Sequence, residues 1–547
     1  MDAFFSLINA LNAVMLSVPV LLALLAVGVG FTFWSGFSQY RSLTHGVALA
    51  SGRGIQTSHG DGVLTHFQAL SAALSATVGL GNIGGVAIAV ALGGPGAVFW
   101  MWVVAMFGMA IKSVEVWLAM LYRDTSDPAN PRGGTMYVAR EGLKHIPGLR
   151  RIAPLIGAAF CIPLILFGIT GGNLFQAWNV AEISHSYFGI PTWISGVILA
   201  AVVGMVILGG IQRIGRIAAM LVPMMCAIYV LAGLVIIGIE WRQLPSLFGL
   251  IISSAFQPAE AGGAFMGATI GIAFIFGMKR ALFSSEAGLG SAPIAHAAVK
   301  TPEPATEGIV AGLEPFIDTI VVCTITALVI LVSGVWNRGA EAQWAAPPAL
   351  VEVGPGQWQP EIATIPEGLD LRTSASVFVI VDTGDDLRTR IFANVTADGG
   401  LNWRPIAATQ APVLAEPGLF ADYPAATLTA RAFDHAFDGL GRWMVVIAVW
   451  LFAVSTLITW SYYSEQGLVY LMGTGGVTAF RVTWCGLIVL ATVGLIRTDV
   501  EIDALSTVAM GFMLLINLPL LVLLGHHAMR SYKDYIKRLD AQEIDRR

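Results

Sequence analysis

Thr77, Gly79, Gly81, Asn82, Gly84 and Gly85 crowd the centre of residues 62–111, a stretch without lysine, arginine, aspartate or glutamate. So apolar a run belongs in a bilayer, yet residues of this kind weaken a helix where no water replaces lost hydrogen bonds. Unpaired backbone in hydrocarbon costs several kcal/mol per group, so a broken helix is tolerated only where it lines a cavity or binds something. If the chain unwinds near Val78–Gly81, the inner half-helix ends in free carbonyls near Ser75–Val78. The outer half then begins with free N–H groups near Leu80–Asn82. Carbonyl oxygens suit a hard cation, and amides on a positive helix end suit a carboxylate. That pairing fits a zwitterionic amino acid with sodium. No charged side chain lies in 62–111 or 152–181 to partner an additional net charge. The structural alternative is close helix packing on small residues, which explains Gly84 and Gly85 better than Thr77 and Asn82.

The elements that must hold these residues are transmembrane helices. The chain is 56% hydrophobic and 12% charged, with a mean hydropathy of +0.73; soluble domains average about 25% charged residues. This predicts an all-α integral membrane protein. Apolar runs near the roughly 20 residues needed to cross a bilayer number about eleven: 12–34, 64–93, 96–122, 153–181, 191–210, 217–239, 262–290, 306–335, 440–465, 477–496 and 504–526. The opening MDAFFSLINALN lacks the positive region of a cleaved signal, so the first run reads as a retained helix.

Basic residues set the orientation. Arg123, Arg132, Arg140, Lys144, Arg150 and Arg151 follow the third span; Arg213, Arg216, Lys279, Arg280 and Lys300 fall on the same side, as do Lys533, Lys537 and Arg538. The opposite connections, 93–96 and 182–190, carry no lysine or arginine. The amino terminus is therefore expected outside and the carboxyl terminus in the cytoplasm, across a plasma (bacterial inner) membrane. The organisation expected is a first membrane part (1–335, helices one to eight), an insertion (336–432), a second membrane part (433–530, helices nine to eleven) and a cytoplasmic tail (531–547). The centre of the insertion, 338–425, holds five arginines against eleven acids and alternating runs such as SASVFVIVD and RTRIFANVTAD. Alternation of that kind predicts half-buried strands with turns at DTGDD and ADGG, hence a small extracytoplasmic β module; the alternative is a disordered loop.

Ala76-Thr77-Val78-Gly79-Leu80-Gly81 is echoed by Ala268-Thr269-Ile270-Gly271-Ile272-Ala273 in the seventh span, which runs in the opposite direction. Paired glycine-interrupted spans in corresponding halves point to a transporter's binding site. Other chemistries are poorly supplied. The four cysteines are scattered through apolar runs and the nine histidines form no ligand-spaced cluster. TVGLG at 77–81 resembles a potassium filter, but a filter needs four copies and a short re-entrant loop. SSEAGLGSAPIAHA at 284–297 holds a GxG without the strand and GKT of a phosphate loop, and reads as the cytoplasmic end of the seventh span. Glu314 and Asp318, four apart near the inner end of the eighth span, are a proton relay or, the favoured alternative, a salt bridge or solvated turn. No nucleophile, base or metal set converges within the spans, which argues against an intramembrane enzyme. No cofactor, nucleic acid or obligate protein partner is implied, only lipid and a small solute.

SATVGLGNIGGVAIAVALGGPGAVFWMWVVAMFGMAIKSVE, LFSSEAGLGSAPIAHAAVKT and TWSYYSEQ resemble the alanine or glycine:cation symporter (AGCS) family, with similarity over nearly all of the chain except 338–425. VGLGN at 78–82 is also similar to the broken first helix of the neurotransmitter–sodium symporters. The resemblance implies eleven spans in the amino-acid-transporter fold. Two inverted five-helix repeats would comprise spans two to six and seven to eleven, with discontinuous second and seventh helices. It implies import of a small neutral amino acid, alanine or glycine, with sodium as the coupling ion and the proton as the alternative. Carbonyls of Ser75 and Val78 would bind sodium; the amides of Gly79, Leu80 and Gly81 would hold the substrate carboxylate, and the Thr77 carbonyl its ammonium. Asn82 would brace the break or bind a second sodium. Gln176 offers both a donor and an acceptor to a zwitterion, or else an interhelical hydrogen bond. Gly271–Phe274 would form the opposing break, with Phe274 or Phe276 closing over the side chain. In the ninth span Ser455 and Thr456 fall where the fold has a hydroxyl pair, and Phe452, one turn earlier, would add its carbonyl to the sodium shell; the alternative is that both hydroxyls bond back to the preceding turn.

Overall fold

The computed structural model describes residues 2–53, 61–128, 130–362, 364–366, 375–384, 388–437, 439–494 and 499–541. Among them, eight helices are long and apolar enough to cross a membrane, or nine if the bent pair α2 (His66–Thr77) and α3 (Gly81–Gly93) is one span. In chain order around that pair are α1 (Leu7–Ser35), α4 (Gly96–Leu121), α5 (Ala153–Phe188), α6 (Thr192–Ile207), α7 (Gly210–Ile239), α8 (Leu244–Phe256), α9 (Ile270–Ser285), α10 (Pro304–Val332), α11 (Ala426–Ala436), α12 (Gly441–Met472), α13 (Thr474–Thr492) and α14 (Ile502–Asp540). The expected fifth and seventh spans correspond to α6 and α9, each of 16 residues. Both fall short of the roughly 20 needed for an unassisted crossing.

Local sequence explains the elements nearest the break. Thr65 and Gln68 form a reciprocal capping box that starts α2, and a stripe of buried alanines (Ala69, Ala72, Ala73, Ala76) lets it pack closely. In α5, Pro163 removes a backbone donor and a π-helical turn follows at Gly168–Leu174. Such bulges rotate the side chains beyond them. The bulge admits the Trp460 side chain of α12: a Cβ on Gly172 would lie 2.6 Å from it.

Two expectations about the helical frame are corrected. Helix α9 is continuous through Gly271–Phe274, with Thr269 as its N-cap; the chain unwinds only beyond Ser285, where Glu286, Gly288 and Gly290 all adopt positive φ. The echo at 268–273 therefore marks a helix start. Lys279 and Arg280 are not cytoplasmic loop charges either. They face Asp503 near the start of α14, Arg280 at 3.2 Å, and Arg280 also lies against Gly85 of the broken span. The expected tail continues α14 as helix to Asp540, where Arg538 pairs with Glu303.

The acidic segment forms two sheets. One is ordered β1 (Ala342–Gln343), β9 (Gly418–Ala421), β4 (Ser376–Asp382), β5 (Arg388–Val395), β6 (Leu401–Trp403), with β8 (Val413–Leu414) also on β4. The other is β2 (Leu350–Gly354), β3 (Gln357–Pro360), β7 (Ile406–Ala407). β4 and β5 are the two runs whose alternation predicted strands, paired from Ser376↔Asn394 to Asp382↔Arg388; part of the DTGDD turn lies outside the described residues. β4 is buried on both faces: Val377, Val379 and Val381 enter the sheet core, while Phe378 and Ile380 pack with Ala264 ahead of α9. Arg390 spans this contact, its guanidinium 4.4 Å from the Phe378 ring centre and donating to the Ala264 carbonyl at 2.8 Å. Burial there lowers the Arg390 pKa to about 10, with Asp422 opposing the shift. Helix α11, which includes the last residues assigned above to the insertion, instead packs into the helical core: Thr429 donates to the Ile83 carbonyl at 3.0 Å.

Candidate functional site

Helices α2 and α3 meet at 53°. Val78 leaves helical geometry with φ −79° and ψ 87°, and helix resumes at Leu80–Gly81. The interruption therefore lies at the expected residues. Asn82 braces it: its Oδ1 accepts from the Gly79 amide at 2.9 Å, while its Nδ2 donates to the Asp318 carbonyl at 3.2 Å and contacts Cys323 Sγ at 3.3 Å. The Leu80 amide points at Gln176 Oε1, 3.5 Å away, and Gln176 Nε2 donates to the Gly171 carbonyl at 3.0 Å. Gln176 thus faces the break across an interhelical contact, as in the structural alternative, and is also held to its own helix. Thr77 turns its hydroxyl back towards Ala73 and Leu74, at 3.4 and 3.5 Å.

Helix α12 lies against the inner half of the break. Ser75 Oγ donates to the Ser455 carbonyl at 2.7 Å, and Ser455 Oγ donates to the Phe452 carbonyl at 2.8 Å with the Ser75 carbonyl 3.4 Å away. Ser75 is thus brought against Phe452 and Ser455, a pair one helical turn apart, with Ser455 380 residues away from Ser75 in sequence. Ser455 makes the back-bond of the structural alternative; Thr456 does not. Among the described residues its buried hydroxyl has no hydrogen-bond partner, and a Cβ on Gly79 would lie only 2.6 Å from it. That close approach requires glycine at 79 and directs an unsatisfied oxygen into the break. An orphaned buried hydroxyl costs about 1–3 kcal/mol, which a ligand at the break would recover. The sequence reading missed Thr459, one turn beyond Ser455, whose hydroxyl donates to Ser75 Oγ at 2.9 Å. Its signal is the i, i+4 hydroxyl spacing in STLIT.

Gly271 and Phe274 are not brought to this site. Gly271 is exposed in the first turn of α9, and Phe274 packs edge-on against Trp100, centroids 4.9 Å apart. Phe276 lies against Gly93 at the far end of α3. The aromatic over the break is Phe283: a Cβ on Gly81 would meet its ring at 2.9 Å, and Phe167 and Phe175 pack beside it at 5.8 and 6.1 Å. The glycine echo pointed to the wrong end of α9. Glu314, for its part, is fully buried in ion pairs, so its salt-bridge alternative holds and a solvated turn does not.

Long apolar helices built around one interrupted helix, with backbone and hydroxyl oxygens turned into the interruption, define a membrane transport protein. The chain belongs to the Sodium:alanine symporter family, whose profile matches residues 1–366 and 408–546; as a member it is a transporter, not an enzyme. The internal unmatched stretch, 367–407, contains β4, β5, β6 and β7. The chain is similar to the sodium/alanine symporter AgcS of Methanococcus maripaludis, 38% identical over 484 residues covering 88% of this chain and 86% of the relative. It is 30% identical to the sodium/proton-dependent alanine carrier protein of Bacillus sp. strain PS3, covering 87% and 89%. It is 35% identical to a probable sodium/glutamine symporter, GlnT, of Bacillus subtilis, covering 64% and 70%.

Proposed function

We propose that this protein is a sodium-driven symporter that imports a small neutral amino acid, alanine or glycine, by alternating access. Its amino terminus lies outside, its carboxyl terminus in the cytoplasm, and its β module on the extracytoplasmic side. The observation that carries the reading is the unpartnered Thr456 hydroxyl beside Gly79. Together with the carbonyls of Ser75, Val78 and Phe452 and the hydroxyl of Ser455, it supplies five oxygens for a hard cation. The amides at Gly79–Gly81 would receive the substrate carboxylate, Gly79 exchanging Asn82 Oδ1 for it and Leu80 exchanging Gln176. The Thr77 carbonyl would take the ammonium. Phe283 over Gly81 favours a short side chain and replaces Phe274 in that role. Asn82 acts as the brace.

One positive charge moving inward through ~100 mV gains ~2.3 kcal/mol, equivalent to roughly 50-fold accumulation, so no ATP is required. The Bacillus PS3 relative is named a sodium/proton-dependent carrier, which supports the proton as the alternative coupling ion. The test is uptake of labelled alanine into proteoliposomes with sodium or choline outside. Sodium-dependent accumulation is expected; equal uptake in choline at constant pH refutes sodium coupling.

A further inference from the structure

Behind the break, on its inner side, lies a buried group of ionisable side chains that the proposed substrate and sodium contacts do not use. Glu307 is held between two imidazoles, His66 and His296, the latter at 2.5 Å. Glu314 is held between His296 at 2.5 Å and the Lys112 amine at 3.5 Å. These pairs occupy the cations. Glu115, Glu286 and Asp318 are equally buried, and among the described residues no basic group lies within ion-pair distance of any of them. Carboxyls buried from water without a paired counter-ion are stabilised by a cation or by a proton.

We propose that Glu286 is a proton-binding site of the transport cycle, and that sodium binding at the broken helix drives its proton off. The hydrogen bonds select Glu286 among the three carboxyls. Glu286 Oε2 is bonded to the Ser291 hydroxyl, and Oε1 accepts from the Trp460 indole N–H at 3.2 Å. When Glu286 is protonated, the Ser291 hydroxyl turns round and accepts its O–H while the indole bond is kept. Asp318 Oδ1 is bonded to the Thr319 hydroxyl in the same way, but of the three carboxyls it is Glu286 that is tied through Trp460 to α12, the helix of Thr456. Glu115 Oε1 meets only donors, the Gly290 amide at 2.9 Å and Asn517 Nδ2 at 2.6 Å, and its Oε2 has no partner among the described residues.

A second observation points into the same space. The buried Tyr463 hydroxyl of α12 has no partner among the described residues, and Glu286 and Glu314 are close enough to act on it electrostatically. The charged groups acting on Glu286 are Lys112 on α4 and Glu314 and Asp318 on α10. Glu286 also holds a left-handed backbone, φ 52°, where α9 unwinds. Strain of that kind in a non-glycine residue persists only where surrounding structure imposes it. The route to the sodium site is short: Trp460 lies one turn beyond Thr456 on α12. Trp460 donates to Glu286 from that same helix, so sodium at Thr456 acts on Glu286 through α12, favours its ionised form and releases its proton to water.

This inference rests on the sodium reading of the broken helix, and its test separates the two. Purified protein in weakly buffered detergent is titrated with sodium chloride at saturating alanine while a pH dye reports proton release, and calorimetry reports sodium binding. The expected result is release of up to about one proton per protein as sodium binds. Release should vanish in Glu286→Gln with sodium binding retained, persist with a shifted pH midpoint in Glu286→Asp, and persist in Glu115→Gln and Asp318→Asn. Sodium binding without proton release, or release lost in Asp318→Asn and retained in Glu286→Gln, overturns the assignment of Glu286. Absence of sodium binding in the wild type overturns the sodium site itself, and the coupling with it.

Discussion

Thr456→Val separates a binding role from a packing role because the two predict effects of opposite sign. Valine keeps the branched shape and removes the one hydroxyl at the break that has no hydrogen-bond partner among the described residues. If Thr456 only packs, deleting an unsatisfied buried hydroxyl leaves the protein unchanged or stabilises it by up to about 1–3 kcal/mol. If it is one of five sodium oxygens, the sodium-free protein still gains or holds stability while the bound state loses a ligand. A loss of ~1.4 kcal/mol raises the sodium needed for half-maximal alanine uptake tenfold. The extra stability conferred by saturating sodium shrinks by a similar ~1.4 kcal/mol, since ligand stabilisation follows the logarithm of concentration over Kd. The assay is a sodium titration of labelled alanine uptake, paired with melting of purified protein with and without sodium. By linkage, alanine affinity in the variant should fall at low sodium and recover at saturating sodium. A sodium titration unmoved in both Thr456→Val and Ser455→Ala refutes the site.

Gly79→Ala would drive a Cβ to 2.6 Å from Thr456 Oγ1, so uptake should be lost in a protein of normal abundance; wild-type uptake would show that the break is looser than its geometry. Gln176→Ala removes the acceptor facing the Leu80 amide and should weaken alanine binding by about 1–3 kcal/mol; unchanged half-saturation returns Gln176 to its bond with Gly171. Replacing 367–407 with a glycine–serine linker should leave sodium-coupled uptake intact, since the family profile does not cover these residues; loss in a folded protein would make the β module part of the cycle. Asp503→Ala leaves the buried Arg280 guanidinium unpaired, a loss of about 3–5 kcal/mol, and a thermal midpoint equal to wild type would contradict that pairing.

Residues 73–90 were legible because broken backbone is so costly in lipid that glycine, hydroxyl and amide residues crowded into an apolar run mark a cavity or a bound ligand. Ser455 and Thr456 on α12 came from the resemblance to the transporter fold, whereas the side-chain bond from Thr459 to Ser75 depends on how two distant helices are rotated. Gly271 and Phe274 misled because a glycine-containing echo marks permissive backbone, and at 268–273 permissive backbone begins a helix. Lys279 and Arg280 look like loop charges in sequence, and only the packing of α9 against α14 reveals Asp503 as their partner. In the insertion, alternation identified β4 and β5, but not that Phe378 and Ile380 lean on Ala264. That contact joins segments more than a hundred residues apart.

The most direct measurement is equilibrium binding of alanine to the purified protein across a sodium titration, with choline holding ionic strength constant. A cation site and a carboxylate site sharing one helix break require that sodium tighten alanine binding and that alanine tighten sodium binding by the same factor. Alanine affinity independent of sodium would contradict the shared site.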